Sequence, residues 1–92
     1  MKRYLIIYSG IVQGVGFRYT LAMTAKKYGL TGNCKNLSNG NVRCEIQGND
    51  IDSFLKETLQ PQRFIQIDDY VIKEIPVDPK EKKFSVEYYS SW

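Results

Sequence analysis

The sequence predicts an α+β fold in which two helices cover one face of a mainly antiparallel β-sheet. Strand-like and helix-like segments follow one another in the order β-α-β-β-α-β, with one extra strand at the end. This order is the split βαβ arrangement, and right-handed crossovers then place the first and third strands side by side. A length of 92 residues bounds the chain to one domain, which we place at residues 1–92.

The first strand and the first helix are defined by their composition and spacing. Strand-forming residues fill Tyr4–Tyr8 and end at Ser9-Gly10, which is typical of a strand followed by a turn. Apolar residues then recur at helical spacing from Phe17 to Tyr28, and Gly29 follows two lysines as a C-terminal signal. We therefore expect a strand, a glycine-bearing turn and a helix that begins near Phe17.

The middle of the chain predicts a β-hairpin, because Cys34–Leu37 and Val42–Gln47 flank a turn that contains Asn-Gly. The loop length is open. A three-residue loop places Cys34 directly opposite Cys44, whereas a two-residue turn places it opposite Glu45. The two cysteines lack C-x-x-C redox spacing and are too few for a zinc site, so we expect reduced, half-buried thiols.

The last part of the chain predicts a helix and two strands. Asp50 precedes an amphipathic stretch that ends before Pro61, which indicates a capped second helix. We expect the next strand within Phe64–Ile75, in its Tyr70–Ile75 part. Phe84–Tyr88 alternates between apolar and polar residues and predicts the extra strand.

Charge and composition restrict the classes of function. Residues 1–44 contain seven basic residues and no acidic one, whereas residues 45–92 contain six basic and ten acidic residues. This uneven charge favours binding of a small anion to the first part of the chain. The chain has no histidine, the commonest general base and metal ligand. No apolar run approaches the roughly 20 residues of a membrane span, and the first one is shorter than the roughly 7–15 residues of a signal core. We expect a cytoplasmic protein with no membrane partner.

The segment between the first strand and the first helix is the main candidate site. Gly14 and Gly16 permit backbone angles that direct successive amides inward. Arg18 lies at the positive end of a helix, where a cation is unfavourable unless an anion is held between the two. We predict a phosphate-binding loop formed by Gln13, Gly14, Val15, Gly16, Phe17 and Arg18. The alternative is an ordinary tight turn with a solvated arginine.

Asn36 is the second candidate residue. A neutral amide can accept one hydrogen bond from a water molecule and donate another, without competing as a charge. The predicted topology brings the start of the hairpin near the first crossover, so we expect Arg18 and Asn36 to lie together. The alternative is that Asn36 is only a turn residue.

Two motifs resemble signatures of the acylphosphatase family, and together with the length and the element order the resemblance covers nearly the whole chain. The first is Gly-x-Val-Gln-Gly-Val-x-Phe-Arg over residues 10–18, and the second is Gly-x-Cys-Lys-Asn-x-x-x-Gly-x-Val over residues 32–42, followed by Gly48. One departure is Asn33, where the family usually has a large aromatic residue. This departure affects the local packing of the second strand. It does not shift Arg18 and Asn36 away from the motif positions of the family.

The resemblance implies a ferredoxin-like α/β sandwich that hydrolyses the carboxyl–phosphate bond of acyl phosphates without a metal or cofactor. Matched by position, Arg18 binds the phosphate with the loop amides, and Asn36 places the attacking water. The implied partner is a small acyl phosphate, and we expect a monomer that binds no nucleic acid.

Two other functions fit parts of the sequence. A non-catalytic anion-binding or regulatory domain would use the same loop. RNA binding on the open sheet face would use the basic first part and some of the seven tyrosines. However, the RNP-type run is absent and the third strand, Val42–Gln47, offers no aromatic platform.

Overall fold

The computed structural model describes residues 1–87, and the predicted order of elements is confirmed within them. The elements are β1 (Lys2–Ile11), α1 (Phe17–Lys27), β2 (Thr31–Asn36), β3 (Val42–Gly48), α2 (Ile51–Thr58), β4 (Gln66–Ile75) and β5 (Phe84–Glu87). β1 and β4 are longer than their compositions predicted, because they pair with each other along nearly their whole length. Tyr88, the predicted end of the last strand, lies outside the described residues.

The five strands form one sheet in the order β4-β1-β3-β2-β5. β1 pairs with β3 and β4 in antiparallel fashion, β2 pairs with β3 likewise, and β2 and β5 run parallel. The sheet is therefore mainly antiparallel, with β1 beside β3 and the extra strand β5 at an edge, as predicted.

The core lies between the two helices and one face of the sheet. Phe17 and Leu21 of α1 and Phe54 of α2 are fully or almost fully buried against it. The rings of Phe17 and Tyr8 meet edge to face, with centroids 4.9 Å apart. The Tyr8 hydroxyl lies 3.0 Å from the hydroxyl of Thr58, which joins β1 to the end of α2. This packing holds the first residue of α1 against β1.

No helix within residues 1–87 is long and apolar enough to cross a bilayer.

The β2–β3 hairpin has the longer of the two predicted loops. The Leu37 N–H donates to the Asn41 carbonyl over 2.8 Å, and Cys34 lies directly opposite Cys44. Both cysteines are free and fully buried rather than half-buried, because their strand positions face the helices. Burial raises the pKa of the Cys34 thiol to about 12 and that of Cys44 well above its ordinary value, so neither is a reactive thiolate.

Candidate active site

The loop between β1 and α1 has the backbone conformation that its glycines predicted. Gly14 and Gly16 adopt left-handed φ values of 74° and 80°, which non-glycine residues rarely adopt. Gly16 caps α1 without a side-chain hydrogen bond, and the first turn of α1 contains no acidic residue. The positive end of this helix is therefore not neutralised by a local side chain.

The loop amides are available to a ligand. Within residues 1–87, the backbone N–H groups of residues 13–17 make no hydrogen bond to a backbone or side-chain acceptor. A cavity of about 150 Å³ lies against them. It is lined by Val12, Gly14, Gly16, Phe17, Arg18, Tyr19 and Val86. A tetrahedral anion is the ligand that such amides at a helix N-terminus bind well.

The Gln13 side chain ties this loop to the hairpin. Its Nε2 donates to the Leu37 carbonyl over 2.7 Å and to the Asn41 carbonyl over 2.8 Å. The expected approach of the first crossover to the hairpin is thus confirmed. The sequence indicated only a backbone amide for Gln13, and its bridging side chain was not predicted.

Arg18 is held at the edge between β2 and β5. Its Nη1 donates to the Glu87 carbonyl over 2.5 Å. Glu87 lies opposite Lys35 in the parallel ladder, and Lys35 directly precedes Asn36. This carbonyl was also missed at the sequence level, because only the pairing of β5 with β2 brings it to the helix.

Asn36 is the last residue of β2 and lies on the helix side of the sheet. Cys34 is on the same face two residues earlier, and its Sγ is 3.8 Å from the Arg18 carbonyl. Within residues 1–87, the buried Asn36 Oδ1 has no hydrogen-bond partner. A buried amide oxygen in this state is suited to accept a hydrogen bond from a water or a ligand.

Asn33 occupies the opposite face of β2. It is half-buried and lies between Gly32 and Cys34, which are both buried on the helix side. The Asn33 side chain is therefore not part of the core between the sheet and the helices.

The sheet order, the two helices on one face and the glycine loop at the first crossover define a ferredoxin-like α+β protein. The crystal structure of the acylphosphatase from Bacillus subtilis superposes with a TM-score of 0.89 at 34% identity, covering 96% of this chain and 100% of the other. The acylphosphatase family model matches residues 4–86. This chain belongs to the acylphosphatase family and is an enzyme of that family.

Two curated relatives have similar lengths. The acylphosphatase of Clostridium beijerinckii is 49% identical over 90 residues, which is 96% of this chain and 100% of the relative. The acylphosphatase of Clostridium acetobutylicum is 43% identical over 90 residues, with 96% and 99% covered.

Proposed function

We propose that this enzyme hydrolyses the carboxyl–phosphate bond of acyl phosphates by attack of water on phosphorus, without a metal ion. The phosphate is held by the amides of residues 13–18 and the Arg18 guanidinium, and Asn36 positions the water. The water oxygen forms a bond to phosphorus while the bond between phosphorus and the carboxyl oxygen breaks. The carboxylate leaves with the electron pair, and a proton of the water passes to a phosphate oxygen of the substrate.

The chemistry of the leaving group supports this reaction. Phosphoryl transfer through a loose transition state needs mainly positioning and charge stabilisation. A carboxylate is already a stable anion, so no strong general acid is required, and the chain has no histidine to supply one. An alkyl phosphate ester would need a proton or a metal for its alkoxide and is a poor substrate for this site.

The observation that carries the proposal is the Asn36 Oδ1 atom. It is buried and has no hydrogen-bond partner within residues 1–87, and it lies at the end of the hairpin that Gln13 ties to the loop. In the proposed reaction, a water donates to this oxygen and attacks the phosphate that the loop amides hold. Burial of an unsatisfied amide oxygen costs about 1–3 kcal/mol, which is an energetic reason for it to bind a water or substrate.

Arg18 supports the proposal through its charge and its anchored position. The Glu87 carbonyl accepts from Nη1, which restricts the guanidinium beside the loop. The planar guanidinium also matches the geometry of two phosphate oxygens.

One chain supplies all these groups, so we propose a monomer of one domain, residues 1–92, as the active unit. We also propose the cytoplasm as its location, because the opposed Cys34 and Cys44 are both free thiols, as is usual in a reducing compartment. No other class of partner is required, and neither nucleic acid nor a membrane enters the reaction.

The test is hydrolysis of acetyl phosphate and benzoyl phosphate with a chelator present and with H₂¹⁸O as solvent. We expect turnover that the chelator leaves unchanged, with ¹⁸O recovered in inorganic phosphate. Glycerol 3-phosphate should not be hydrolysed. Label in the carboxylate would refute attack at phosphorus, and a fully chelator-sensitive rate would refute the metal-free reaction. Phosphate binding without turnover would favour the non-catalytic alternative.

A further inference from the structure

A second, larger cavity lies beside the loop. It occupies about 540 Å³ between the end of β1, the segment after α2 and the start of β4, and its lining includes Ile11, Gln62, Arg63, Phe64 and Ile67. We call it the 59–67 groove. Nothing described above uses it.

The groove is connected to the phosphate-binding loop through Thr20 of α1 and through Ile11 at the end of β1. The Thr20 Oγ1 atom is 3.3 Å from the Gly16 carbonyl and 3.4 Å from the Gln62 Oε1 atom. One hydroxyl thus contacts both the cap of α1 and a wall of the groove. Ile11, on the other wall, precedes Gln13 by two residues. A substrate bound through its phosphate has this groove as a neighbouring surface.

The walls of the groove are chemically suited to an apolar group attached to an anion. Phe64 and Ile11 are 67% and 53% exposed, although both are large apolar side chains. The Arg63 guanidinium lies 5.1 Å from the centre of the Phe64 ring, which is within cation–π range and orders the ring. The same guanidinium adds positive charge that attracts an anionic substrate.

We propose that the 59–67 groove receives the acyl group and that this enzyme prefers acyl phosphates with an aromatic or bulky apolar acyl part. This proposal rests on the proposed hydrolysis of acyl phosphates. Phe64 and Ile11 bury the acyl group while the loop holds the phosphate. A short acyl group such as acetyl does not reach these side chains and gains nothing from them.

The test compares kcat/KM for benzoyl phosphate and acetyl phosphate in the wild type, Phe64→Ala and Ile11→Ala. We expect the ratio of benzoyl to acetyl kcat/KM to fall about tenfold in Phe64→Ala, mainly through KM, the scale expected for a lost apolar pocket contact. Ile11→Ala should lower it in the same direction. The matched control is Val71→Ala, which removes a 61% exposed apolar side chain of β4 outside the groove and should keep the wild-type ratio.

The outcomes separate the two proposals. If neither substrate is hydrolysed by the wild type, the proposed function fails. If both are hydrolysed and neither groove variant changes the ratio, the acyl site alone is overturned. A fall of both rates by the same factor in Phe64→Ala also overturns it, because the residue would then act on the loop rather than on the acyl group. The inhibition constant of inorganic phosphate should be unchanged in both groove variants.

Discussion

Arg18 and Asn36 have different surroundings, and this difference gives them separable roles. Arg18 is an anchored cation that lines the cavity beside the β1–α1 loop, and its Nη1 donates to the Glu87 carbonyl. Asn36 presents a buried oxygen that lacks a partner within residues 1–87. In the proposed reaction the first residue stabilises charge throughout, whereas the second acts on the water. Substitution of Arg18 should therefore affect both phosphate binding and turnover, and substitution of Asn36 should affect turnover alone.

We expect Arg18→Ala to abolish measurable turnover and to weaken binding of inorganic phosphate. Loss of one charge-stabilising donor costs about 10²–10³ in rate, and the weakened phosphate binding adds to that loss. Initial rates measure the turnover, and titration calorimetry with inorganic phosphate measures the dissociation constant. Arg43→Ala is the matched control, because Arg43 is paired with Glu45 and its neighbours Val42 and Cys44 are the ones that face the helices. That variant should retain activity.

We expect Asn36→Ala to lower kcat strongly and to leave the inhibition constant of inorganic phosphate nearly unchanged, because the residue contacts the water rather than the phosphate. Asn33→Ala removes an amide from the other face of the same strand and should behave as the wild type does. The water-positioning role is refuted if Asn36→Ala weakens phosphate binding as much as Arg18→Ala does.

At the scale of elements, the site depends on how the β1–α1 loop is fixed to the β2–β3 hairpin. The Gln13 amide bridges the two carbonyls of Leu37 and Asn41, which belong to the pair that closes the hairpin loop. The Phe17 ring is fixed separately, against Tyr8. The two ends of the β1–α1 loop are thus held by side-chain contacts, one to the β2–β3 hairpin and one to β1.

Gln13→Ala should lower the stability of the protein by about 1–2 kcal/mol, because the carbonyls of Leu37 and Asn41 each lose one of their two donors. We also expect kcat to fall about tenfold, since the loop and Asn36 are no longer held at a constant separation. Urea unfolding and steady-state kinetics measure the two effects. Asn49→Ala, at an exposed position between β3 and α2, is the control. Unchanged kcat in Gln13→Ala would show that the loop keeps its position without this bridge.

At the scale of the whole molecule, a buried arginine joins parts of the chain that are far apart in sequence. Arg3 on β1 is only 4% exposed and donates to Gln47, Glu45 and Glu81 over 2.6 to 3.1 Å. Glu45 and Gln47 belong to β3, and Glu81 lies before β5. Arg43 also pairs with Glu45. This network connects the central strands to the segment that leads into the edge strand.

The network makes stability dependent on pH. Partial burial raises the pKa of Glu45, but Arg3 and Arg43 outweigh burial and hold it below its ordinary value of 4.5. A carboxyl with a lowered pKa contributes stability above its unfolded pKa, and this contribution is lost as pH falls through the folded pKa. Compared with Glu45→Gln, the wild type should therefore be more stable at pH 7, and the difference should shrink between pH 4.5 and pH 3.

Urea unfolding at pH 7, 4.5 and 3 measures this difference. Glu74→Gln, an exposed position on β4, controls for loss of a surface carboxylate and should follow the wild type at each pH. A constant difference between the wild type and Glu45→Gln over the whole range would contradict the linkage.

Local signals in the sequence determined the element order and the conformation of the main loop. Helical spacing, Asn-Gly and the glycine pair act over a few residues, so they could be read without knowing the fold. The start of α1 at Phe17, the left-handed Gly14 and Gly16, and the central position of β1 and β3 all agree with those signals.

Only the tertiary structure decided which distant groups meet. The Glu87 carbonyl at Arg18, the Gln13 bridge, the burial of both cysteines and the 59–67 groove each require a strand pairing or a loop contact between segments at least ten residues apart. Such contacts depend on the order of the strands and on their register. The same local sequence pattern is compatible with more than one order and register. The conformation of the loop could therefore be predicted from its own residues, whereas the surfaces around it depend on how the strands pair in the sheet.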